Sequence, residues 1–324
     1  MRSAAGSIAS CCVRRALAHM SRYGSRSREL GVKILPVRSW LGAVLIFFAW
    51  GFVAHAVGLL LHEFGGHALS ATLFACGTEG YDLTFFGHGM VHYADCERWT
   101  FTTRIVTDWA GLVLTSAAGS VAALYARRRD LAPMTRALAV LVALLFLLGQ
   151  LGYAINGGFH DLYDPARTSF WLGRRGLHAL AWIPPFVAYA VTSVVGTRAL
   201  VDSLREHFGS RSRLHALGQI AATLGVAGIA YFGAFYIERV LRVDVEMRGV
   251  AYAAERIAIE RHTAPPFPIH LLLAGVVGIA LVGALAHPVR AGTTARAAPR
   301  RLIVVVGASA AVCFLSMAIL IARS

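Results

Sequence analysis

The sequence predicts an all-α polytopic membrane protein of about seven transmembrane helices, with a small β-hairpin after the first span. Three observations predict it. Of 324 residues, 57% are hydrophobic and only 15% are charged, against about 25% charged in an average soluble chain. The apolar residues gather in runs of about 20, long enough to cross a hydrocarbon core at about 1.5 Å per residue. Between the first two runs lies a Gly-punctuated stretch that reads as two short strands.

Residues 1 to 39 form a basic, Ser- and Gly-rich segment with a single acid, Glu29, and read as a disordered tail. Spans then follow at roughly 40 to 61, 105 to 125, 137 to 155, 178 to 200, 216 to 236, 269 to 287 and 302 to 322. The second is interrupted by Asp108 and the fourth carries Pro184 and Pro185. The loops alternate in charge. Arg127 to Arg129, Arg205 with Arg211 and Arg213, and Arg290 with Arg300 and Arg301 lie on the face of the basic tail. Loops 76 to 104, 156 to 177 and 237 to 268 are near charge balance and fall on the other face. Because Arg collects on the cytoplasmic side, the N-terminus is expected there. The same rule explains the net charge of +14 without nucleic acid. The partners expected are the lipid bilayer and a membrane protein or peptide; the oligomeric state is not legible. The last balanced loop has the spacing of an amphipathic surface helix over Val240 to Ile259.

Cys76 and Cys96 flank the segment between the first two spans. They bridge if that segment faces an oxidising compartment and remain thiols if it does not.

The first span runs without a break into Leu61-His62-Glu63-Phe64-Gly65-Gly66-His67-Ala68. Ionisable residues at membrane depth are expensive, so this cluster marks a functional site by default. A zinc hydrolase helix places two His at i and i+4 with a Glu beside the first as general base. Here the spacing is i and i+5, which on a regular helix sets the two His about 140° apart. One metal can be shared only if a local bulge absorbs the extra residue, and Gly65-Gly66 is where that distortion is least costly.

With that departure, the motif resembles the site-2 protease family of intramembrane zinc metalloproteases, which carry His-Glu-x-x-His followed by Ala and an apolar residue on a membrane helix. A longer His-Glu-x-x-x-His motif serves zinc in the unrelated dipeptidyl peptidase III family. Residues 77 to 95 read as strands around a Gly87-His88-Gly89 turn, and the family has a hairpin after its metal helix that is thought to pair with an extended substrate. Its third ligand is an Asp after a later span, where this chain has Asn156-Gly157-Gly158-Phe159-His160-Asp161-Leu162-Tyr163-Asp164.

The resemblance implies Zn²⁺ held by His62, His67 and either Asp161 or Asp164, with Glu63 taking a proton from water. On position alone, Asn156 is a candidate hydrogen-bond donor to the oxyanion. It covers about residues 40 to 165. The chain then divides into the tail, a metalloprotease-like membrane core over 40 to 177, and a further transmembrane bundle over 178 to 324 of unknown role. Ala110-Gly111 and Ala117 to Ser120 in the second span allow close packing beside the metal helix.

Two other readings stand beside a zinc endopeptidase. His62, His67, His88, His92 and His160 resemble the histidine boxes of membrane di-iron hydroxylases and desaturases, although the adjacent His-His pair of those enzymes does not occur. Alternatively, Glu63 and His67, themselves i and i+4, join a polar cluster in a transporter or a structural, degenerate homologue, with Asp108 as a third member. His55, inside the first span, is expected to hydrogen-bond a neighbouring helix.

Overall fold

The computed structural model describes residues 37–87, 89–208, 213–241, 268–287 and 300–322. The chain divides into two compact units, Met1–Gly42 and Ala43–Ser324; of the first, only the opening of one helix from Val37 is described. The tail up to residue 36, His88 and residues 242–267, which hold most of the expected amphipathic helix, lie outside the described residues.

Among the described residues, seven helices are long and apolar enough to cross a membrane, and the protein is an integral multi-pass membrane protein. The first runs from Trp40 to Leu73, 34 residues, about a dozen beyond the end expected from the apolar run. It continues because the residues after the motif, Ala68 to Leu73, contain no Pro or Gly to stop a helix. Three segments compose it: α1 (Val37–Leu60), a π-helix (Leu61–Ala68) and α2 (Leu69–Leu73).

The chain then forms an antiparallel hairpin, β1 (Thr78–Leu83) and β2 (Gly89–Tyr93), with Leu83 opposite Gly89. Gly89 thus belongs to the second strand, and the turn precedes it. A Cys76–Cys96 disulfide ties the base of the hairpin.

Helix α3 (Phe101–Ala126) opens on a capping box in which Thr100 and Thr103 each accept the other's backbone N–H. Helix α4 (Pro133–His160) starts on a Pro, whose missing N–H has no partner to lose there. A short α5 (Ala166–Gly173) follows. Pro184 and Pro185 fall in the first turn of α6 (Ile183–Phe208), where the same argument makes them harmless to the span. The last spans are α7 (Arg213–Leu241), α8 (Ile269–Ala286) and α9 (Arg300–Ile321).

Two apolar clusters fasten the later spans to the first three. Ile155 of α4, Tyr189 of α6 and Ile269 and Leu273 of α8 are buried together. Ala56 of α1, Leu83 of β1 and Met317 of α9 form the other, and Phe85 stacks on Phe314 with centroids 4.8 Å apart. From α7, the Glu238 carboxylate accepts the backbone N–H of Phe85 at 2.5 Å and of Phe86 at 2.7 Å. The spans after residue 178 therefore hold the tip of the hairpin in place.

Candidate metal centre

The inserted residue of the His62–His67 motif is absorbed in the backbone. Residues Leu61–Ala68 form a π-helix, whose i→i+5 hydrogen bonds bring residues five apart to about one turn of separation. The two imidazoles come together with Nε2 atoms 3.0 Å apart. A regular α-helix would have turned them to different faces.

The glycines of the motif have a packing role as well. A Cβ on Gly66 would lie 2.3 Å from the Cα of Gly111 in α3, and one on Gly111 would lie 2.9 Å from the His62 ring. Backbone therefore meets backbone at this crossing, as small-residue pairs allow between membrane helices. The close approach puts the Thr107 carbonyl 2.8 Å from His67 Nδ1. Since a carbonyl can only accept, Nδ1 carries the proton and donates it there, leaving the Nε2 lone pair directed at the site.

The third group arrives from the turn after α4. Asp161 ends the helix in the left-handed region at φ 55°, and Tyr163 repeats that conformation at φ 59°. Asp tolerates it better than most residues. The two reversals fold the chain back so tightly that a Cβ on Gly157 would sit 2.6 Å from the Leu162 carbonyl oxygen. Asp164 Oδ2 is thereby carried to 3.5 Å from His62 Nε2 and 3.2 Å from His67 Nε2. The Tyr153 hydroxyl donates to the same oxygen at 3.1 Å. Asp161 is not brought to the centre: its carboxylate accepts from the Ser169 hydroxyl and pairs with His178 at 3.3 Å.

The donor set fits a small divalent ion. Ligand atoms of His62, His67 and Asp164 lie within 4.8 Å of one another, the only such trio among the described residues. Zinc–ligand bonds near 2.0 to 2.2 Å imply tetrahedral edges of about 3.4 Å, and the three separations of 3.0, 3.2 and 3.5 Å cluster around that value. Burial alone would raise the Asp164 pKa, but the positive potential of His67 and His62 outweighs it and holds the carboxyl well below the usual range. It stands as an anion facing the two rings.

No protein-family model, curated protein or solved structure matches this chain.

Glu63 is buried at 5% exposure, and the Val91 backbone N–H donates to its carboxylate. A Cβ on Gly89 would lie 2.9 Å from Glu63 Cγ, so β2 passes directly over this side chain. Its edge away from β1 faces the site. The trio, Glu63 and Asn156 all line one cavity of about 1070 Å³, which runs from β2 down the inner faces of α1, α3 and α4 to α7.

Asp108 is not part of this trio. It is 2% exposed and pairs with Arg167 of α5 at 2.7 Å, which is how the second span tolerates a carboxylate. Among the other histidines of a box reading, His92 pairs with Asp82 across the hairpin at 2.9 Å and His160 packs edge-on to Phe159. The hydrogen bond to a neighbouring helix expected of His55 is not made by its Nε2, which has no hydrogen-bond partner among the described residues; the ring lies edge-on to Tyr231. Sequence reasoning missed Thr107, Tyr153 and Arg167. Tyr153 had a signal, since it stands one helical turn before Asn156; Thr107 acts through its carbonyl, which no side-chain pattern announces.

Proposed function

We propose that the protein is a zinc-dependent intramembrane endopeptidase, related in design to the site-2 proteases, that cleaves a membrane-embedded or membrane-proximal peptide. The observation that carries this reading is the convergence of His62 Nε2, His67 Nε2 and Asp164 Oδ2 beside a buried Glu63, under the edge of β2. Zinc bound by such a trio supplies Lewis acidity, which acidifies a water molecule and polarises a carbonyl oxygen. Glu63, next in sequence to a ligand and oriented by the Val91 N–H, is the base that takes the proton of that water. The outer edge of β2 offers backbone groups to which an extended peptide adds as a further strand, bringing its carbonyls over the site. Asn156 lines the same cavity, and its side-chain amide is the proposed donor to the oxyanion.

Two features favour one orientation in the membrane. The hairpin is closed by a disulfide, which persists on the oxidising side of a membrane. The Arg-rich loop after α3 lies on the opposite side. Both support the reading in which the metal end is outside and the N-terminus in the cytoplasm.

Metal content by mass spectrometry on detergent-purified protein tests the centre. One zinc per chain is expected in the wild type, with loss in His67→Ala; two irons would support the histidine-box oxidase, and no metal would support a structural or transport role. Glu63→Gln should keep zinc and abolish cleavage of a helix-unstable membrane peptide. Undiminished cleavage would remove Glu63 from the chemistry.

A further inference from the structure

Three consecutive residues of α3 tie the metal centre to a second charged group on the cavity wall. The Thr107 carbonyl holds His67, the Asp108 carboxylate accepts from Arg167 Nη1 at 2.7 Å, and Trp109 Nε1 donates to the Thr168 hydroxyl at 2.8 Å. Arg167 and Thr168 lie in the first turn of α5, just after the ligand Asp164. The guanidinium is thus fixed from two directions, by α3 across the ion pair and by the turn that carries Asp164.

The ion pair is asymmetric. The Asp108 side chain is 2% exposed, whereas that of Arg167 is 24% exposed and lines the same cavity as the metal trio. Among the described residues Nη1 is the only Arg167 nitrogen that is hydrogen-bonded; Nε and Nη2 make no such bond and are not buried. Stability alone does not account for such a pair, because an apolar pair of similar volume in its place is often as stable or more so. A charge kept accessible at membrane depth marks a functional group by default. The flat Nε–Nη2 edge has the fork geometry that grips both oxygens of a carboxylate.

We propose that Arg167 is a subsite for a carboxylate of the substrate, borne by an Asp or Glu near the bond that is cut or by a chain terminus. The proposal rests on the endopeptidase reading above for its ligand being a peptide. Covalent geometry and the hydrogen bonds at Thr107 and Asp108 put Arg167 Nη1 at most about 15 Å from His67 Nε2. An extended peptide covers that distance in about four residues at 3.3 Å each. A carboxylate in an apolar span is costly until it finds a partner, so an open guanidinium within those four residues selects acidic peptides over their neutral counterparts.

The test measures binding of dye-labelled transmembrane peptides to the full chain in lipid nanodiscs, on a Glu63→Gln background that prevents turnover. Each peptide is a Leu-rich span with a Gly-Pro break, and Glu or Gln occupies one position within about four residues of the break. A further pair of peptides ends at the break with a free or an amidated carboxyl. At least a tenfold tighter binding of the charged member is expected in one or more pairs, and the pair that discriminates identifies the source of the carboxylate. In Arg167→Gln the ratio should fall to near one with zinc content unchanged. Should that variant not fold because Asp108 has lost its guanidinium, Asp108→Asn/Arg167→Gln, which removes both charges, carries the same expectation. Arg239→Gln, on the α7 side of the cavity wall, should keep the ratio.

Equal binding of both members in every pair would make Arg167 a neutraliser of Asp108 alone and overturn the proposal. So would a ratio that survives the loss of Arg167, or one lost equally in Arg239→Gln, which would make it an effect of general positive charge. Discrimination that depends on Arg167, without cleavage of the preferred peptide by the native protein, would sink the endopeptidase reading and leave the subsite standing.

Discussion

Asp161 and Asp164 stand three residues apart in one turn, yet only one reaches the two histidines. Asp164 Oδ2 lies 3.2 Å from His67 Nε2, whereas the Asp161 carboxylate is consumed by Ser169 and His178. Asp164→Asn should therefore strip most of the zinc from purified protein, and Asp161→Asn should keep it while lowering stability by about 1 to 2 kcal/mol through the weakened corner between α4 and α5. Metal content and thermal unfolding of the two variants separate these effects; full metal in Asp164→Asn would mean that the third ligand lies elsewhere. Tyr153→Phe removes the hydroxyl that orients Asp164 and should weaken zinc affinity by about tenfold or more, read by competition with a chelating dye.

The element that decides the site is the π-helix Leu61–Ala68. A single inserted residue in an α-helix would rotate everything after it by about 100°; wound into a wider turn, it leaves His62 and His67 on one face. Gly66 and Gly111 let α3 approach closely enough to support that turn. Gly66→Ala would push a Cβ onto the Gly111 backbone, where no side chain can yield, and should destabilise the protein by about 3 kcal/mol or more, beyond the usual range of overpacking. Gly111→Ala instead presses on the His62 ring, so its expected effect is lost zinc with a smaller change in Tm. If Gly111→Ala kept its zinc at full affinity, the ring would have a second position compatible with the metal.

Across the whole molecule, the spans after residue 178 do more than surround the first three. Glu238 of α7 receives two backbone N–H groups from the hairpin tip, α9 stacks Phe314 on Phe85, and α7 walls the cavity with Tyr231 and Phe235. Glu238→Gln weakens two hydrogen bonds to a charged acceptor, each worth about 1.5 to 3 kcal/mol. It should speed amide exchange at Phe85 and Phe86 and reduce cleavage while zinc stays bound. Exchange at those two amides equal to that of the wild type would show that the tip is held without the carboxylate.

The spans and the hairpin were legible in the sequence because they obey one-dimensional rules: a bilayer of fixed thickness selects apolar runs by length, and turn residues punctuate strands. His62, Glu63 and His67 were legible too, since charge inside an apolar helix stands out, and even the need for a bulge followed from counting residues per turn. The choice between Asp161 and Asp164 was not, because it turns on two left-handed residues whose effect is a direction in space. Nor was the partner of Asp108: Arg167 lies 59 residues away and meets it only once α5 folds under α3.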